Sequence, residues 1–131
     1  VRVLLDTHIF IRLAYEPDRL SLAARALCAA ADTTLLVSIA SLWEMAIKVQ
    51  SGRLALGKGL AELVESQMRV NDVIVLPVEL SHVLQLQRLP SVRKDPFDRV
   101  LIAQSLAEHA PIVTNDTRIL MYGVPTVRAD R

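Results

Sequence analysis

Apolar and polar positions alternate along the chain in two regimes. Four short runs rich in β-branched residues or leucine, Val1 to Leu5, Leu35 to Val37, Val73 to Val78 and Ile112 to Thr114, are bounded by polar, glycine or proline residues and read as buried strands. Between them Leu22 to Ala30, Leu42 to Gln50, Leu60 to Met68, Leu80 to Leu89 and Phe97 to Glu108 carry apolar residues at helical spacing. Strand alternating with helix predicts an α/β fold, a mainly parallel sheet with helices on its faces. Gly52 ends the second of these helices, Gly57 and Gly59 open the third, Pro90 closes the fourth, and Pro111 separates the fifth from its strand. Thr126 to Arg128, following the Gly123-Val124-Pro125 turn, reads as a last edge strand. With no internal repeat, low-complexity tract or linker, residues 1–131 read as one domain.

Composition narrows the class. A chain of 131 residues, 52% apolar, buries roughly two thirds of its unfolded surface, enough for one core. Fifteen Lys and Arg against fourteen Asp and Glu leave a charge of +1, so no broad basic surface grips nucleic acid by charge alone, although a local patch stays compatible. The lone Cys28 supports neither a disulfide framework nor a cysteine-ligated zinc site. No apolar run approaches the ~20 residues of a membrane helix, and nothing resembles a secretory signal, so the expectation is a cytoplasmic chain without a membrane partner.

The acidic residues are placed more tellingly. Asp6 ends the first strand, Asp116 follows the strand Ile112 to Thr114, Glu44 sits in the early turns of the helix that leaves Val37-Ser38, and Asp98 opens the helix announced by Asp95-Pro96. In a parallel sheet the strand C-termini share one edge, where crevices form and ligands bind, so four distant segments bring carboxylates towards one rim. Each has a bland reading as well. Ser41-Leu42-Trp43-Glu44 fits a capping box, Asp95-Pro96 an N-cap with proline at the first helical position, and Asp6 and Asp116 each precede a segment they could cap. Capping alone gives no reason for all four to gather at one edge, where mutual repulsion raises pKa values and costs stability; a bound divalent cation removes that cost.

Magnesium, a hard ion that prefers oxygen and keeps several waters, suits such a set. His8, His82 and His109 show no zinc spacing; His82 and His109 read as helix-surface or C-terminal residues, and His8 as one that can line the mouth of a site. No phosphate-binding glycine loop occurs, and Ser38 and Ser41 have no triad context.

Leu4-Leu5-Asp6-Thr7-His8, Ser38 through Met45, Asp95-Pro96-Phe97-Asp98 through Ala103, and Val113-Thr114-Asn115-Asp116 resemble, in order, the four acidic motifs of PIN-domain ribonucleases, and within that group the chain is most similar to VapC-like toxins of type II toxin–antitoxin systems. The resemblance runs from Val1 to about Val127. It implies a three-layer α/β/α domain, a Mg²⁺ or Mn²⁺ site and hydrolysis of single-stranded or structured RNA. Asp6, Glu44 and Asp98 match the core acids and Asp116 the more variable fourth; Thr7, Ser38, Thr114 and Asn115 match polar positions lining the site. The third motif departs from the commoner form at Arg99 and Ile102, and the extra acid Asp95 leaves open whether Asp98 acts alone. The family also implies an antitoxin that covers the site, and a homodimer. On this reading Asp6 and Asp98 hold metal, while Glu44 and Asp116 hold a second ion or orient the attacking water.

Because acids repel RNA, basic side chains must position the substrate, and Arg12, Lys48, Arg53, Arg93, Lys94, Arg99 and Arg118 flank the motifs. With five aromatics in all, a platform for many bases is not evident, and Trp43, within the apolar helix of Leu42, Ala46, Ile47 and Val49, is expected in the core. Two rivals stand beside the nuclease: a PIN-fold binding module without turnover, and an acid-pocket phosphatase or phosphotransfer domain, which needs a strand-end lysine that the sequence lacks.

Overall fold

The structure is a computed structural model that describes residues 1–90 and 95–129. Five strands, β1 (Arg2–Leu5), β2 (Thr34–Ser38), β3 (Ile74–Leu76), β4 (Ile112–Thr114) and β5 (Thr126–Arg128), form one sheet in the order β3-β2-β1-β4-β5. Every pairing is parallel, with Leu4 opposite both Leu36 and Ile112. Around it lie α1 (Thr7–Tyr15), α2 (Leu22–Ala29), α3 (Ile39–Gln50), α4 (Leu60–Val70), α5 (Leu80–Gln87), α6 (Pro96–Glu108) and the short α7 (Thr117–Leu120).

Side chains two apart on a strand share a face, and the two cores follow from that. Val3, Leu5, Leu35 and Val37 point to one side, where they meet Ile9 and Phe10 of α1, Met45 of α3 and Leu63 of α4. Leu4, Leu36 and Ile112 point to the other, against Leu101 and Ile102 of α6 and Ile119 of α7. These residues are almost wholly withdrawn from solvent, each worth roughly 1.5–3 kcal/mol of burial. The central strands lack polar alternation because both their faces are covered.

The structure adjusts several sequence boundaries. The apolar run from Val73 yields a strand only to Leu76, since Pro77 offers no N–H to continue the ladder. Helix α3 begins at Ile39, three residues before the expected Leu42, with Ser38 as its cap. Helix α1 has little polar contrast in its first half, where Ile9 and Phe10 are fully buried, and was visible in the sequence only through the capping potential of Asp6. The final edge strand forms as expected. His82 does not lie on the surface: it is 1% exposed between α5 and α6, where its Nδ1 accepts from the Glu79 N–H at 2.9 Å and its Nε2 donates to Glu108 Oε2 at 2.8 Å. No described helix is long and apolar enough to cross a membrane.

Candidate active site

In the order β3-β2-β1-β4-β5 the chain leaves β1 towards β2 on one side, while β4 arrives later on the other. The C-terminal ends of β1 and β4 therefore flank the switch point of a parallel sheet, where the connections diverge and open a crevice. Asp6 stands there as the N-cap of α1. Its Oδ1 accepts from the Thr7 N–H at 2.7 Å, and its Oδ2 accepts from Thr114 Oγ1 at 2.7 Å. The same Thr114 hydroxyl accepts from the Asp116 N–H at 2.9 Å, so one threonine clamps the ends of both strands. Thr7 Oγ1 donates to Glu44 Oε1 at 2.9 Å, and Glu44 Oε2 pairs with Lys48 at 3.1 Å.

From the other face comes the N-terminus of α6. Asp95 caps it, accepting from the N–H groups of Phe97 and Asp98 at 2.9 and 3.3 Å, with Pro96 at the first helical position. Asp98 then lies buried in the first turn. Burial raises its pKa first, and the negative charges of Asp95, Asp6 and Asp116 raise it further, to about 7, against a partial offset from Arg118. Burial likewise pushes Asp6 above the ordinary carboxylate range, opposed by its bonds to Thr114 and Thr7, while Asp116 adds to the rise. Asp116 caps α7 and is held by Arg118, whose Nε and Nη2 donate to its two oxygens at 3.1 and 3.0 Å.

Capping and clustering thus coexist. Asp6, Asp95 and Asp116 each cap a helix, and together with Asp98 they are close enough to perturb one another. The box expected at Ser41 and Glu44 does not form, because α3 starts earlier; Ser41 Oγ is buried without a hydrogen-bond partner among the described residues, and Glu44 turns to Thr7 and Lys48 instead. Ser38, fully buried, spends its hydroxyl on the Ala40 N–H at 3.0 Å, and Asn115 lies half-buried between Thr114 and Asp116.

The basic candidates separate. Lys48 and Arg53 line a crevice of about 410 Å³ together with Glu44, Ile47, Asp95 and Phe97. Arg118 lies on the acids themselves. Arg99 instead donates to the Pro90 carbonyl at 2.8 Å and reaches Tyr122 Oη at 3.4 Å, a contact that braces the start of α6. Arg12 sits in the last turn of α1, at the end away from Asp6. Arg93 and Lys94 lie outside the described residues. Trp43 is not in the core: it is 63% exposed and meets Phe97 edge to face. The sequence missed the crevice, because the helical spacing of α3 does not distinguish an apolar stripe turned to solvent from one turned inward.

The donors at the rim are carboxylate and hydroxyl oxygens, a set that fits a hard divalent cation rather than a nitrogen- or sulfur-seeking one. Among the described residues no group of three or more His, Cys, Asp or Glu side chains is placed to hold a metal ion, so the fit rests on the chemistry of the donors.

Comparison with known proteins agrees with this architecture. The chain is similar to solved structures of VapBC2 from Rickettsia felis bound to a DNA fragment from their promoter, at 15% identity and a TM-score of 0.77 over 99% of this chain and 100% of the other, and of FitAcB from Neisseria gonorrhoeae, at 15% identity and a TM-score of 0.64 over 96% of each. At such identity the likeness is one of fold. No curated protein is a match. The family model described as PIN domain matches residues 3–124, nearly the whole chain, and with it the strand ends that carry Asp6 and Asp116: the chain belongs to the PIN domain family.

Proposed function

We propose that this protein is a metal-dependent ribonuclease that hydrolyses RNA phosphodiester bonds, and that it is the toxin of a type II toxin–antitoxin pair. The observation that carries the nuclease reading is the convergence of Asp6, Asp98 and Asp116 at the sheet's switch point, where burial and mutual repulsion hold Asp98 near a pKa of 7. Gathering buried like charges costs stability, and a bound cation would relieve that cost beyond the partial offset from Arg118. Membership of the PIN domain family supports the reaction class, and two structural neighbours, VapBC2 and FitAcB, support the toxin assignment.

Asp6 and Asp98 would hold Mg²⁺, or Mn²⁺ in its place. When bound, such an ion lowers the pKa of a coordinated water and neutralises charge on the phosphoryl oxygens. The chain's own residues do the rest. Thr114 and the Thr7 N–H fix both oxygens of Asp6, so the carboxylate does not reorganise during the reaction. Glu44, steered by Thr7, and Asp116, steered by Thr114, accept the proton of the attacking water or hold a second ion. Lys48 and Arg118 meet the phosphates. An antitoxin with a cationic side chain would cover the same acids, and the toxin would act in the cytoplasm as a homodimer.

The test is incubation of the purified chain with total bacterial RNA, in Mg²⁺ and in EDTA, beside folded Asp6→Asn and Asp98→Asn chains. Discrete cleavage that needs the metal and falls at least about 10²-fold in both variants is the expected result. Cleavage independent of metal and of both acids would overturn it, and a folded protein that binds but never cuts would leave a binding module.

A further inference from the structure

The acids at the rim are not equally open to a ligand. Asp6 accepts one hydrogen bond on each oxygen, from the Thr7 N–H and from Thr114 Oγ1, which leaves a lone pair on both. Glu44 likewise meets one donor on each oxygen, Thr7 Oγ1 and Lys48 Nζ. Asp116 differs. Its Oδ1 accepts from the backbone N–H and the Nε of Arg118 at 2.9 and 3.1 Å, and its Oδ2 from Nε and Nη2 of the same residue at 3.3 and 3.0 Å. A carboxylate offers about four lone-pair sites, so Arg118 by itself takes up the accepting capacity of Asp116. The guanidinium's charge reaches further and acts on Asp98 as well. Arg118 thus stands towards these acids as a cation would, and among the described residues no three of them are placed to hold an ion.

This hold is reversible. The Arg118 side chain is 54% exposed, so water weakens the pair and the guanidinium can swing out without leaving a void. Asp116 still caps α7 when it does, because the capping bond comes from the Arg118 backbone N–H and not from the side chain.

We infer that Arg118 is an internal counterion that competes with the divalent cation for Asp116: it holds this carboxylate out of coordination in the metal-free protein, and the ion displaces it before Asp116 serves the metal or its water. The inference rests on the metal-dependent reading of the site. It also sets an order of assembly, with Asp6 open from the start and Asp116 joining last.

The full chain, labelled with ¹⁵N-arginine, is titrated with Mg²⁺ at pH 8 in the absence of RNA, and the Arg118 Nε–H resonance is identified by its loss in Arg118→Ala. The expected result is a resonance of a paired guanidinium in EDTA that moves to the position of a solvated arginine as Mg²⁺ is added. By calorimetry, Mg²⁺ should bind about fivefold more tightly to Arg118→Ala than to the wild type. That gain should disappear when both are compared in an Asp116→Asn background, where asparagine keeps the cap and leaves no carboxylate to compete for. An Arg118 resonance that Mg²⁺ does not move, or unchanged Mg²⁺ affinity in Arg118→Ala, would overturn the inference. So would a gain that persists beside Asp116→Asn, since it would mark a general effect of charge and not competition at this carboxylate. The two readings fail separately. Metal-dependent RNA cleavage with an immobile Arg118 signal defeats the counterion and spares the nuclease, whereas displacement of Arg118 by Mg²⁺ in a chain that cuts no RNA defeats the nuclease and spares the counterion.

Discussion

Helix α6 carries a carboxylate in its first turn, Asp98, and another at its last residue, Glu108, and the protein treats them oppositely. Glu108 meets Nε2 of His82 at 2.8 Å and Nη2 of Arg2 at 3.0 Å, and those hydrogen bonds draw its pKa below the ordinary value. His82 is held for the purpose: its Nδ1 accepts the Glu79 N–H, and Gln104 Nε2 lies 3.4 Å from the same nitrogen, which leaves Nε2 to carry the proton. Asp98 has burial and other carboxylates around it, and its pKa rises. The neighbours of Glu108 stabilise its charged form, whereas at Asp98 burial and the charges of Asp95, Asp6 and Asp116 outweigh the opposing charge of Arg118. One end of the helix adds to stability and the other subtracts from it.

Substitution at each end should therefore move stability and cleavage in different directions. Asp98→Asn should abolish metal-dependent RNA cleavage by about 10²-fold or more, and in EDTA at pH 8 it should stabilise the fold by up to about 3–4 kcal/mol, read by denaturant titration. A destabilised Asp98→Asn chain would break the comparison. His82→Ala should cost about 2–4 kcal/mol, from the cavity and the lost bond to Glu108, while the folded fraction cleaves normally.

The pH dependence follows from the same pair. The folded chain holds a proton on Asp98 up to about pH 7, whereas the unfolded chain loses it near pH 4, so this group makes stability fall as pH rises between about 4 and 7 and level off above. Glu108, with its pKa lowered, acts in the reverse sense: its contribution is present above its unfolded pKa and is lost as the solution is acidified through the lower folded one. Asp98→Asn should flatten the neutral limb of the stability profile and Glu108→Gln the acidic limb, the latter with a loss of about 1–2 kcal/mol at pH 7. Mg²⁺ should raise the melting temperature of the wild type at pH 8, and that rise should vanish in Asp98→Asn and persist in Glu108→Gln. The smallest effect is expected for Arg2→Ala, under about 1 kcal/mol, because the Arg2 side chain is 45% exposed and solvent screens its pair.

The N-terminal end of α6 was legible in the sequence and the C-terminal end was not, for a physical reason. Asp6, Asp98 and Asp116 lie next to elements whose apolar runs declare themselves, and a parallel sheet has only one edge at which its strands can end. Nothing local marks His82: its partner Glu108 is 26 residues away, and an isolated histidine on an eight-residue helix reads the same whether it faces water or a neighbouring helix. Trp43 failed for a related reason, since helical spacing shows that residues share a face but not what that face meets. The start of α3 was misplaced because Ser41 and Glu44 satisfy the capping-box spacing while Ser38, three residues earlier and at the end of a strand, performs the capping.

The clamp between Asp6 and Thr114 joins residues 108 positions apart. Strands β1 and β2, close in the chain, can pair early during synthesis, but β4, on the other side of β1, is made only after β2 and β3. Until then Asp6 has neither Thr114 to orient it nor Asp116 beside it, and the nascent chain carries an unassembled site. For a protein whose proposed substrate is RNA, this delay spares the message and the ribosome that are making it. Ribosome-arrested chains ending before Ile112 should be inert towards RNA in Mg²⁺; cleavage by such a truncated chain would show that the site assembles without its last strands.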